Sequence, residues 1–211
     1  GVYPSLHFSY QMDDSQQMTF SFSRRVQRPR IWSVNPFPGY NDPRYLWYGN
    51  PFLRPSFTNS LEVNYGKYWK QNSISAGLFG NYATGDWNNI QRVDEQGVIR
   101  STPENLGYNY QVGLEANGNF KLTKIWSMNS SINLSQNYTD ASKIDDALSF
   151  SSLSGYASVY ANLRFKFGLS ASLGGSVWFQ LRDIQGRSVP SVWHWMSISQ
   201  QLMKKKLTLS L

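Results

Sequence analysis

The sequence predicts an all-β protein, an antiparallel up-and-down meander of about ten long strands. Three observations lead to this prediction. Apolar and polar residues alternate with a period of two along most of the chain, and a helical period is nearly absent. Aromatic residues make up 16% of the 211 residues, and charged residues also make up only 16%, against about a quarter in typical domains. Short and long connections alternate between the candidate strands. Together these features favour part of a transmembrane β-barrel, or a small closed version of one.

The first four candidate strands each carry an apolar row opposite a polar row. The polar rows contain mainly Ser, Asn, Gln and Gly, with few of the Lys and Glu that a soluble sheet shows to water. Small neutral polar residues suit a crowded, hydrated interior. The apolar rows are Leu6, Phe8, Tyr10 and Met12; Met18, Phe20 and Phe22; Leu61, Val63 and Tyr65; and Ile74, Ala76, Leu78 and Tyr82.

The fifth candidate strand is the clearest, because a single register runs through residues 106–120. Soluble strands usually have about five or six residues, whereas a tilted strand that crosses a bilayer needs about 9–11. The later apolar rows are Trp126, Met128, Ile132, Leu134 and Tyr138; Ala157, Val159, Ala161, Leu163, Phe165 and Phe167; Leu169, Ala171, Leu173, Val177, Phe179 and Leu181; Met196, Ile198 and Leu202; and Leu207, Leu209 and Leu211.

The connections between these rows alternate strictly in length. Short turns are predicted at residues 13–17, 70–72, 123–124, 168 and 204–206, and long connections at 28–58, 85–105, 139–152 and 183–190. A membrane barrel with tight turns on one side and long loops on the other has this pattern. The alternative is a soluble β-sandwich that binds glycans through surface aromatics, because alternation also marks any half-buried sheet.

Composition and charge exclude several classes of function. The formal net charge is +7, but the 20 Lys and Arg are spread along the chain without a recognition module, so we expect no nucleic-acid partner. Cysteine is absent, which rules out disulfides and thiolate metal sites. No run of about 18 apolar residues occurs, so a transmembrane helix is excluded.

The sequence offers little support for catalysis, a cofactor or a metal site. The two histidines, His7 and His194, lie in candidate strands as polar wall residues and have no triad or metal-ligand spacing. Asp140, Asp145 and Asp146 lack the regular spacing of a calcium loop. We therefore predict that the protein is not an enzyme. The alternative, a hydrolase embedded in a small barrel, would need a Ser-His-Asp arrangement near one of the histidines.

A series of markers between residues 4 and 65 resembles the C-terminal β-barrel of TonB-dependent outer-membrane receptors, within the outer-membrane protein β-barrel family. The markers are, in order, Pro4-Ser5-Leu6-His7, Ser23-Arg24-Arg25, Arg28-Pro29, Trp32, Asn35-Pro36-Phe37, Asp42-Pro43, Gly49-Asn50-Pro51, Leu53, Pro55 and Thr58-Asn59-Ser60. So many markers in this order form a specific signal, and the rest of the chain agrees in its alternation.

The resemblance implies a barrel of about 22 strands closed around an N-terminal plug, in the outer membrane of a Gram-negative bacterium. Such receptors are driven by the TonB complex and import siderophores, cobalamin, glycans or peptides. The implied partners are outer-membrane lipid, the TonB complex acting through the plug, a SusD-like surface lipoprotein, and a small-molecule or oligosaccharide substrate.

The chain departs from the complete family pattern, since it has no plug, no TonB box and no terminal strand ending in an aromatic residue. Residues 1–211 are therefore expected to be a single partial barrel domain, excised from a longer chain. In isolation such a fragment is expected to self-associate through its strand edges or its apolar face.

The long connections contain the candidate ligand-binding residues. Residues 28–58 interleave six prolines with aromatic rings and arginines, which predicts an ordered loop. Residues 85–105 are predicted to form a hairpin that turns at Gln96-Gly97. The rings could stack on a sugar or an aromatic chelator, and the arginines could pair with acidic groups. The structural interpretation, in which the rings pack the loop onto the barrel rim, is favoured for the first loop. The candidates are Trp32, Tyr40, Arg44, Tyr45, Trp47, Tyr48, Trp87 and Arg92.

Other aromatic residues concentrate near the ends of the candidate strands. Trp69 and Trp126 lie near short turns, and Tyr82, Trp193 and Trp195 lie near long connections. Amphipathic rings favour the lipid headgroup layer, so these positions are predicted to form interfacial girdles. Ordinary strand propensity is the alternative explanation.

Overall fold

Strands account for nearly all of the regular structure. The computed structural model describes residues 1–203 and 206–211, apart from the side chains of Tyr40, Asn41 and Asp146. Within these residues the strands are β1 (Ser5–Asp13), β2 (Gln16–Gln27), β3 (Gly39–Asp42), β4 (Tyr45–Trp47), β5 (Ser56–Trp69), β6 (Asn72–Thr84), β7 (Trp87–Val93), β8 (Ile99–Asn105), β9 (Tyr108–Lys121), β10 (Trp126–Asp140), β11 (Phe150–Arg164), β12 (Leu169–Gln180), β13 (Arg182–Asp183), β14 (Gly186–Arg187), β15 (Ser191–Leu202) and β16 (Leu207–Ser210).

Helical structure is limited to two short pieces of the described chain. They are a four-residue helix, α1 (Ile31–Val34), and a 3-10 turn at Asp146–Leu148. In the part of the chain that the structure describes, no helix is long and apolar enough to span a bilayer.

Ten of the strands form one antiparallel sheet in the order β1-β2-β5-β6-β9-β10-β11-β12-β15-β16. All ten match the strands predicted from alternation, and each pairs with the next predicted strand along the chain. β9 has 14 residues, and β10 and β11 have 15 each, which is sufficient for a tilted crossing of a bilayer. The predicted all-β meander is therefore confirmed.

The sheet has one apolar face and one polar face, because successive side chains of a strand point to opposite sides. Cross-strand register sets one apolar row side by side: Phe8, Phe20, Val63, Leu78, Leu114 and Leu134. We call this side the apolar face. Leu78 and Val112 on it are 65% and 60% exposed, whereas Gln111 on the opposite, polar face is half-buried among its neighbours. The predicted division of residues between the two faces holds on the other strands, but on β15 Trp193 and Trp195 lie on the polar face and His194 lies on the apolar face.

Connections between the ten strands alternate in length as predicted. The short ones cover residues 14–15, 70–71, 122–125, 165–168 and 203–206, and the long ones cover 28–55, 85–107, 141–149 and 181–190. Lys70 and Gly168 have φ values of 53° and 92°, the left-handed conformation that tight turns require. Of the predicted turn at 204–206, Lys204 and Lys205 lie outside the described residues.

A second, four-stranded sheet joins the first two long connections in the order β3-β4-β8-β7. β7 and β8 form the predicted hairpin, and Gly97 in its turn has a φ of 79°. The pairing of β4 with β8 is parallel and was not predicted from the sequence. Asn105 reinforces the junction: its Nδ2 donates to the carbonyl oxygens of Arg54 at 3.0 Å and Gly85 at 2.7 Å, and its Oδ1 accepts from Arg54 N at 2.8 Å.

Three long connections pack around a small hydrophobic cluster beside this second sheet. Its buried members are Ile90, Leu106, Ala141, Phe150 and Ile184, with Ile144 and Leu148 packed against them. The side chain of Gln185 pairs with the backbone of Gln91 on β7 through two hydrogen bonds of 2.8 Å. The long connections therefore form an ordered cap with its own apolar core.

The ten-stranded sheet is open. β1 and β16 end the strand order, and each has a single strand partner among the described residues. The small closed barrel that the sequence left open as an option is therefore not the observed arrangement. Because a strand with an unpaired edge presents free N–H and C=O groups, both ends of the sheet can accept a further strand.

Candidate functional site

Side chains of the polar face form a hydrogen-bonded network across four strands. Asn81 Nδ2 on β6 donates to Gln111 Oε1 on β9 at 3.2 Å, and Gln111 Nε2 donates to Ser135 Oγ on β10 at 3.0 Å. The hydroxyls of Ser135 and Ser154 are 2.9 Å apart, and Asn137 Nδ2 donates to Ser154 Oγ at 2.7 Å. Amides and hydroxyls that satisfy one another laterally can line a hydrated channel and still offer free lone pairs and donors to a solute.

A polar cavity of about 330 Å³ lies above this network, at the end of the sheet that carries the long connections. Asp86 stands at its edge, where Asn109 Nδ2 donates to Asp86 Oδ2 at 2.7 Å and the backbone N–H of Trp87 donates to Asp86 Oδ1 at 2.9 Å. Amides, hydroxyls, carboxylates and aromatic rings share the lining, which consists of Asn81, Asp86, Trp87, Asn88, Leu106, Asn109, Tyr110, Gln111, Asn137, Tyr138, Thr139, Phe150, Ser152, Ser154, Gln180 and Asp183.

This lining can bind a polar ligand without covalent chemistry. Neutral amide and hydroxyl groups exchange hydrogen bonds with hydroxyl-bearing or amide-bearing solutes, and aromatic rings supply apolar contact area. Of the predicted candidates whose side chains the structure describes, only Trp87 lines this cavity. The amides of the polar rows were available as a signal, since alternation placed them on the interior side, but nothing in the sequence indicated which of them surround a cavity.

Large aromatic residues also stand on the polar face of β11, β12 and β15. Register places Tyr156 opposite Trp178, Ser176 opposite Trp193, and Gly174 opposite both Tyr160 and Trp195. The rings of Tyr160 and Trp195 lie 6.2 Å apart, and Trp193 is 72% exposed. We call Tyr156, Tyr160, Trp178, Trp193 and Trp195 the aromatic patch.

The aromatic patch corrects one sequence prediction. Trp193 and Trp195 were assigned to an interfacial girdle because they lie near a long connection, but their register places them on the polar face. Their proximity to the strand end was correct and their side of the sheet was not. Tyr82, Trp69 and Trp126 do lie on the apolar face, as the girdle prediction requires.

The structure brings five of the predicted site residues into the second sheet. Tyr45 and Trp47 lie on β4, Tyr48 follows directly, and Trp87 and Arg92 lie on β7. Tyr48 contributes to a cavity of about 580 Å³ among the first three long connections, together with Glu104 of the second and Lys143 of the third. The first loop therefore packs against the second long connection, whereas the structural interpretation placed its rings on the barrel rim.

Of the other three predicted residues, Tyr40 lies on β3 of the same sheet, whereas Trp32 and Arg44 lie outside its strands. Trp32 is exposed on α1, with the guanidinium of Arg30 5.5 Å from its ring centre, and Arg44 is exposed beside the turn between β3 and β4. The side chain of Tyr40 lies outside the described residues. Close packing of this loop depends on Gly49, where an added Cβ would stand 2.6 Å from the backbone oxygen of Trp32.

Two ion pairs fix the charges of the β7–β8 hairpin. Arg92 pairs with Glu104, and Arg100 Nε donates to Asp94 Oδ2 at 2.9 Å. The hydrogen bond to Glu104 raises the pKa of Arg92. Donation from the Val98 backbone N–H, followed by that from Arg100, lowers the pKa of Asp94 below its ordinary value of 3.8. Arg92 is thus already paired within the protein, which weakens its predicted role in ligand binding.

We expect acid to open this hairpin through Asp94. Because its pKa is lowered in the folded state, Asp94 stabilises the turn at a pH above its ordinary pKa, and this contribution disappears as the pH falls through the lowered value, below about pH 4. Hydrogen exchange at the Val98 and Ile99 amides, corrected for intrinsic rates, should accelerate in that range. Asp94→Asn should remove the pH dependence, whereas Glu95→Gln, at the exposed tip, should leave it unchanged. A pH profile identical in Asp94→Asn and the parent would contradict the assignment.

The two histidines do not form a common site. His7 pairs with Ser21 on the polar face of β1, near one edge of the sheet, whereas His194 lies opposite Gly175 on the apolar face of β15. The description of His194 as a polar wall residue is therefore wrong. Among the His, Asp and Glu side chains that the structure describes, which do not include Asp146, no three approach closely enough to hold a metal ion.

Comparison with known proteins gives a consistent result. A family model described as outer membrane protein beta-barrel family matches residues 1–211. Among solved structures, a mutant of the ferric enterobactin receptor PfeA from Pseudomonas aeruginosa is similar with a TM-score of 0.66 at 14% identity, covering 99% of this chain and 33% of that chain. Among curated proteins, none matches.

Two other solved structures show the same fold. The copper transporter OprC is similar with a TM-score of 0.67 at 14% identity, over 93% of this chain and 31% of that chain. The iron transporter FrpB from Neisseria meningitidis has a TM-score of 0.58 at 14% identity, with the same coverage of 93% and 31%. The chain thus spans about a third of the length of these proteins.

Proposed function

Because the chain belongs to the outer membrane protein beta-barrel family, and hence to the outer membrane of a Gram-negative cell, we propose that it forms part of the wall of a TonB-dependent nutrient receptor. The apolar face contacts lipid and the polar face lines the route of a large substrate. The observation that carries this proposal is the polar cavity above the interstrand amide network, at the end with the long connections. The role is passive, without covalent chemistry.

Several features support membership of a larger barrel. Both ends of the ten-stranded sheet have an unpaired edge, and the solved relatives are about three times as long as this chain. In this proposal further strands close the wall, a plug fills the lumen, and the TonB complex acts through that plug. A SusD-like surface lipoprotein is a candidate partner at the cap formed by the long connections.

The proposed substrate is a large polar solute, such as a siderophore, cobalamin, a glycan or a peptide. The solved relatives are a ferric enterobactin receptor, a copper transporter and an iron transporter. In this chain Trp87 contacts the substrate inside the polar cavity, while Tyr45, Trp47 and Tyr48 contact it at the cap. Trp32, Tyr40, Arg44 and Arg92 complete the proposed contact set on the outer loops.

Uptake by cells that express the full-length protein tests this proposal. The host should lack its own receptors, and matched strains should carry or lack TonB. The probes are ferric enterobactin, a copper salt, cyanocobalamin and a maltooligosaccharide mixture, each followed by its label inside the cell. We expect accumulation of one probe class in the strain with TonB and background levels without it. Equal accumulation with and without TonB would contradict an energised receptor.

Neighbouring residues on β9 supply a matched pair of variants for the same assay. Gln111→Leu removes an amide from the polar cavity and from the interstrand network, so we expect slower uptake. Val112→Leu changes the next residue, on the apolar face, and should leave uptake unchanged. The same rate in both variants would argue against the polar face as the substrate route.

A further inference from the structure

The apolar face contains a groove centred on Gly80, in the half of the sheet nearer the long connections. Gly80 lies between Leu61 on β5 and Val112 on β9, so two large side chains flank a position that has none. A Cβ added to Gly80 would meet no atom within 4 Å. The resulting groove has a volume of about 420 Å³, and its lining is Phe22, Asn59, Ser60, Leu61, Gly80, Asn81, Tyr82, Tyr110 and Val112.

A second apolar depression of about 320 Å³ lies farther along β6 toward the short turns. It surrounds Ala76, between Tyr65 and Ala116, and Leu78 stands between it and the Gly80 groove. The apolar face therefore has two depressions in line along the strand direction, and a hydrocarbon chain that follows this direction can occupy the Gly80 groove.

Arg24 places a positive charge at the end of the Gly80 groove that is nearer the long connections. Arg24 on β2 lies opposite Asn59 on β5, which in turn lies opposite Tyr82. Its guanidinium is exposed, lies 5.6 Å from the ring centre of Phe57, and makes no ion pair with any residue that the structure describes. The surrounding residues of the apolar face on β2, β5 and β6 are uncharged: Phe22, Val26, Phe57, Asn59, Leu61, Gly80, Tyr82 and Thr84.

A charged group at this position requires an external partner. An unpaired arginine beside hydrocarbon is unfavourable, and its planar fork of N–H groups matches the geometry of a phosphate. Four tyrosines form a contiguous group near the same strand ends as Arg24, with neighbouring ring centres 5.3–6.0 Å apart: Tyr82, Tyr108, Tyr110 and Tyr138. Such a group is expected where the lipid headgroup layer begins.

We propose that Arg24 and the Gly80 groove bind one phosphate-bearing lipid of the outer leaflet. The phosphate contacts Arg24 and Asn59, and one acyl chain lies in the groove past Gly80. The lipid is the occupant because this face already lies in the outer membrane, so the groove is continuous with the lipid interface. This site is on the opposite face of the sheet from the proposed substrate route and does not depend on transport.

Native mass spectrometry of the detergent-purified full-length protein, titrated with lipid A, tests the site. Gly80→Leu fills the groove and keeps the charge, and Arg24→Gln removes the charge and keeps the groove. We expect each variant to weaken the affinity for lipid A by about tenfold, the effect of losing one charge-assisted hydrogen bond or the burial of two or three methylenes. Diacylglycerol, which has acyl chains but no phosphate, should bind the parent weakly.

Two control variants are matched to these changes. Arg25→Gln removes the neighbouring charge on the polar face, opposite Thr58. Gly175→Leu fills a glycine position on the apolar face of β12, where an added Cβ would meet only the backbone oxygen of Trp193, at an ordinary contact distance of 3.7 Å. Both should retain the affinity of the parent for lipid A. Heat-dependent gel mobility verifies that every variant is folded.

Three outcomes would overturn the proposal. The first is unchanged lipid A affinity in either Gly80→Leu or Arg24→Gln, since both parts of the site are required. The second is an equal loss in Arg25→Gln, which would indicate attraction to general positive charge. The third is displacement of lipid A by inorganic phosphate alone, which would indicate an anion site without a lipid chain.

Discussion

Replacing Leu114 with arginine is expected to destabilise the folded protein by about 2–4 kcal/mol, the cost of a cation at the bilayer midplane on the lipid face of a barrel. Leu114 lies at the middle of β9, between Leu78 and Leu134 on the apolar face, and is 44% exposed on that side. An arginine there would have no polar partner within reach. Denaturant titration of the full-length protein in lipid vesicles measures this change.

The matched control for Leu114→Arg is Asn117→Arg, three residues along the same strand on the polar face. Asn117 pairs with Ser75 and Ser131, so a cation there meets the hydrated side. We expect a change in unfolding free energy of less than about 1 kcal/mol, since polar-face substitutions mainly alter selectivity. If the two variants lost equal stability, the assignment of the faces would be wrong.

Replacing Ile90 with alanine is expected to loosen the cap of long connections by about 2–5 kcal/mol of local opening free energy. Ile90 is 1% exposed in the cluster with Leu106, Phe150 and Ile184, and removal of its side chain leaves a cavity that the backbone of β7 cannot fill. When intact cells are treated with trypsin, cleavage of the protein after Arg92 and Arg100 should accelerate about thirtyfold or more. The reason is that the cleavage rate follows the fraction of molecules in which the cap is locally open.

Val93→Ala, on the same strand, is the control for Ile90→Ala. Val93 is 70% exposed, so its truncation should change the opening free energy by no more than about 0.5 kcal/mol. Cleavage in intact cells also reports that the long connections face the outside. Resistance of Ile90→Ala to trypsin at the level of Val93→Ala would argue against the cluster as the core of the cap.

The ten-stranded sheet was predictable because one physical constraint acts on every residue of it. A strand between lipid and water must alternate, so rows such as Leu106 to Phe120 revealed both the element and its faces. The order of the strands followed from the short turns, because a short turn leaves the two strands that it joins only one way to pair, side by side and antiparallel. The markers in residues 4–65 indicated the family, and the match over residues 1–211 confirms it.

The cap was less predictable, since its contacts join distant parts of the chain. Residues 45–47 form too short a segment to show alternation, so the parallel pairing of β4 with β8 left no periodic signal. Trp193 and Trp195 were misplaced for a different reason: in Val-Trp-His-Trp-Met both rows look apolar, and composition cannot then choose between the faces.

The candidate site could be predicted only as a class of residue. Alternation assigned the amide-bearing polar rows to the interior side, but the cavity lined by Asn109, Gln111 and Asn137 is completed by residues of the second and fourth long connections, such as Trp87 and Asp183. The convergence of these two connections depends on contacts such as the one between Gln91 and Gln185, 94 residues apart in sequence. Local patterns carry no information about such distances.

The parallel contact between the first two long connections has a consequence for the order of assembly. Residues 45–47 pair with residues 99–101, which lie beyond two intervening wall strands, β5 and β6, in the chain. Contacts between such distant residues form slowly, so we expect the first loop to lack its partner until the second long connection has folded. A sequence insertion that delays folding of the second loop should therefore leave the first loop exposed to proteases.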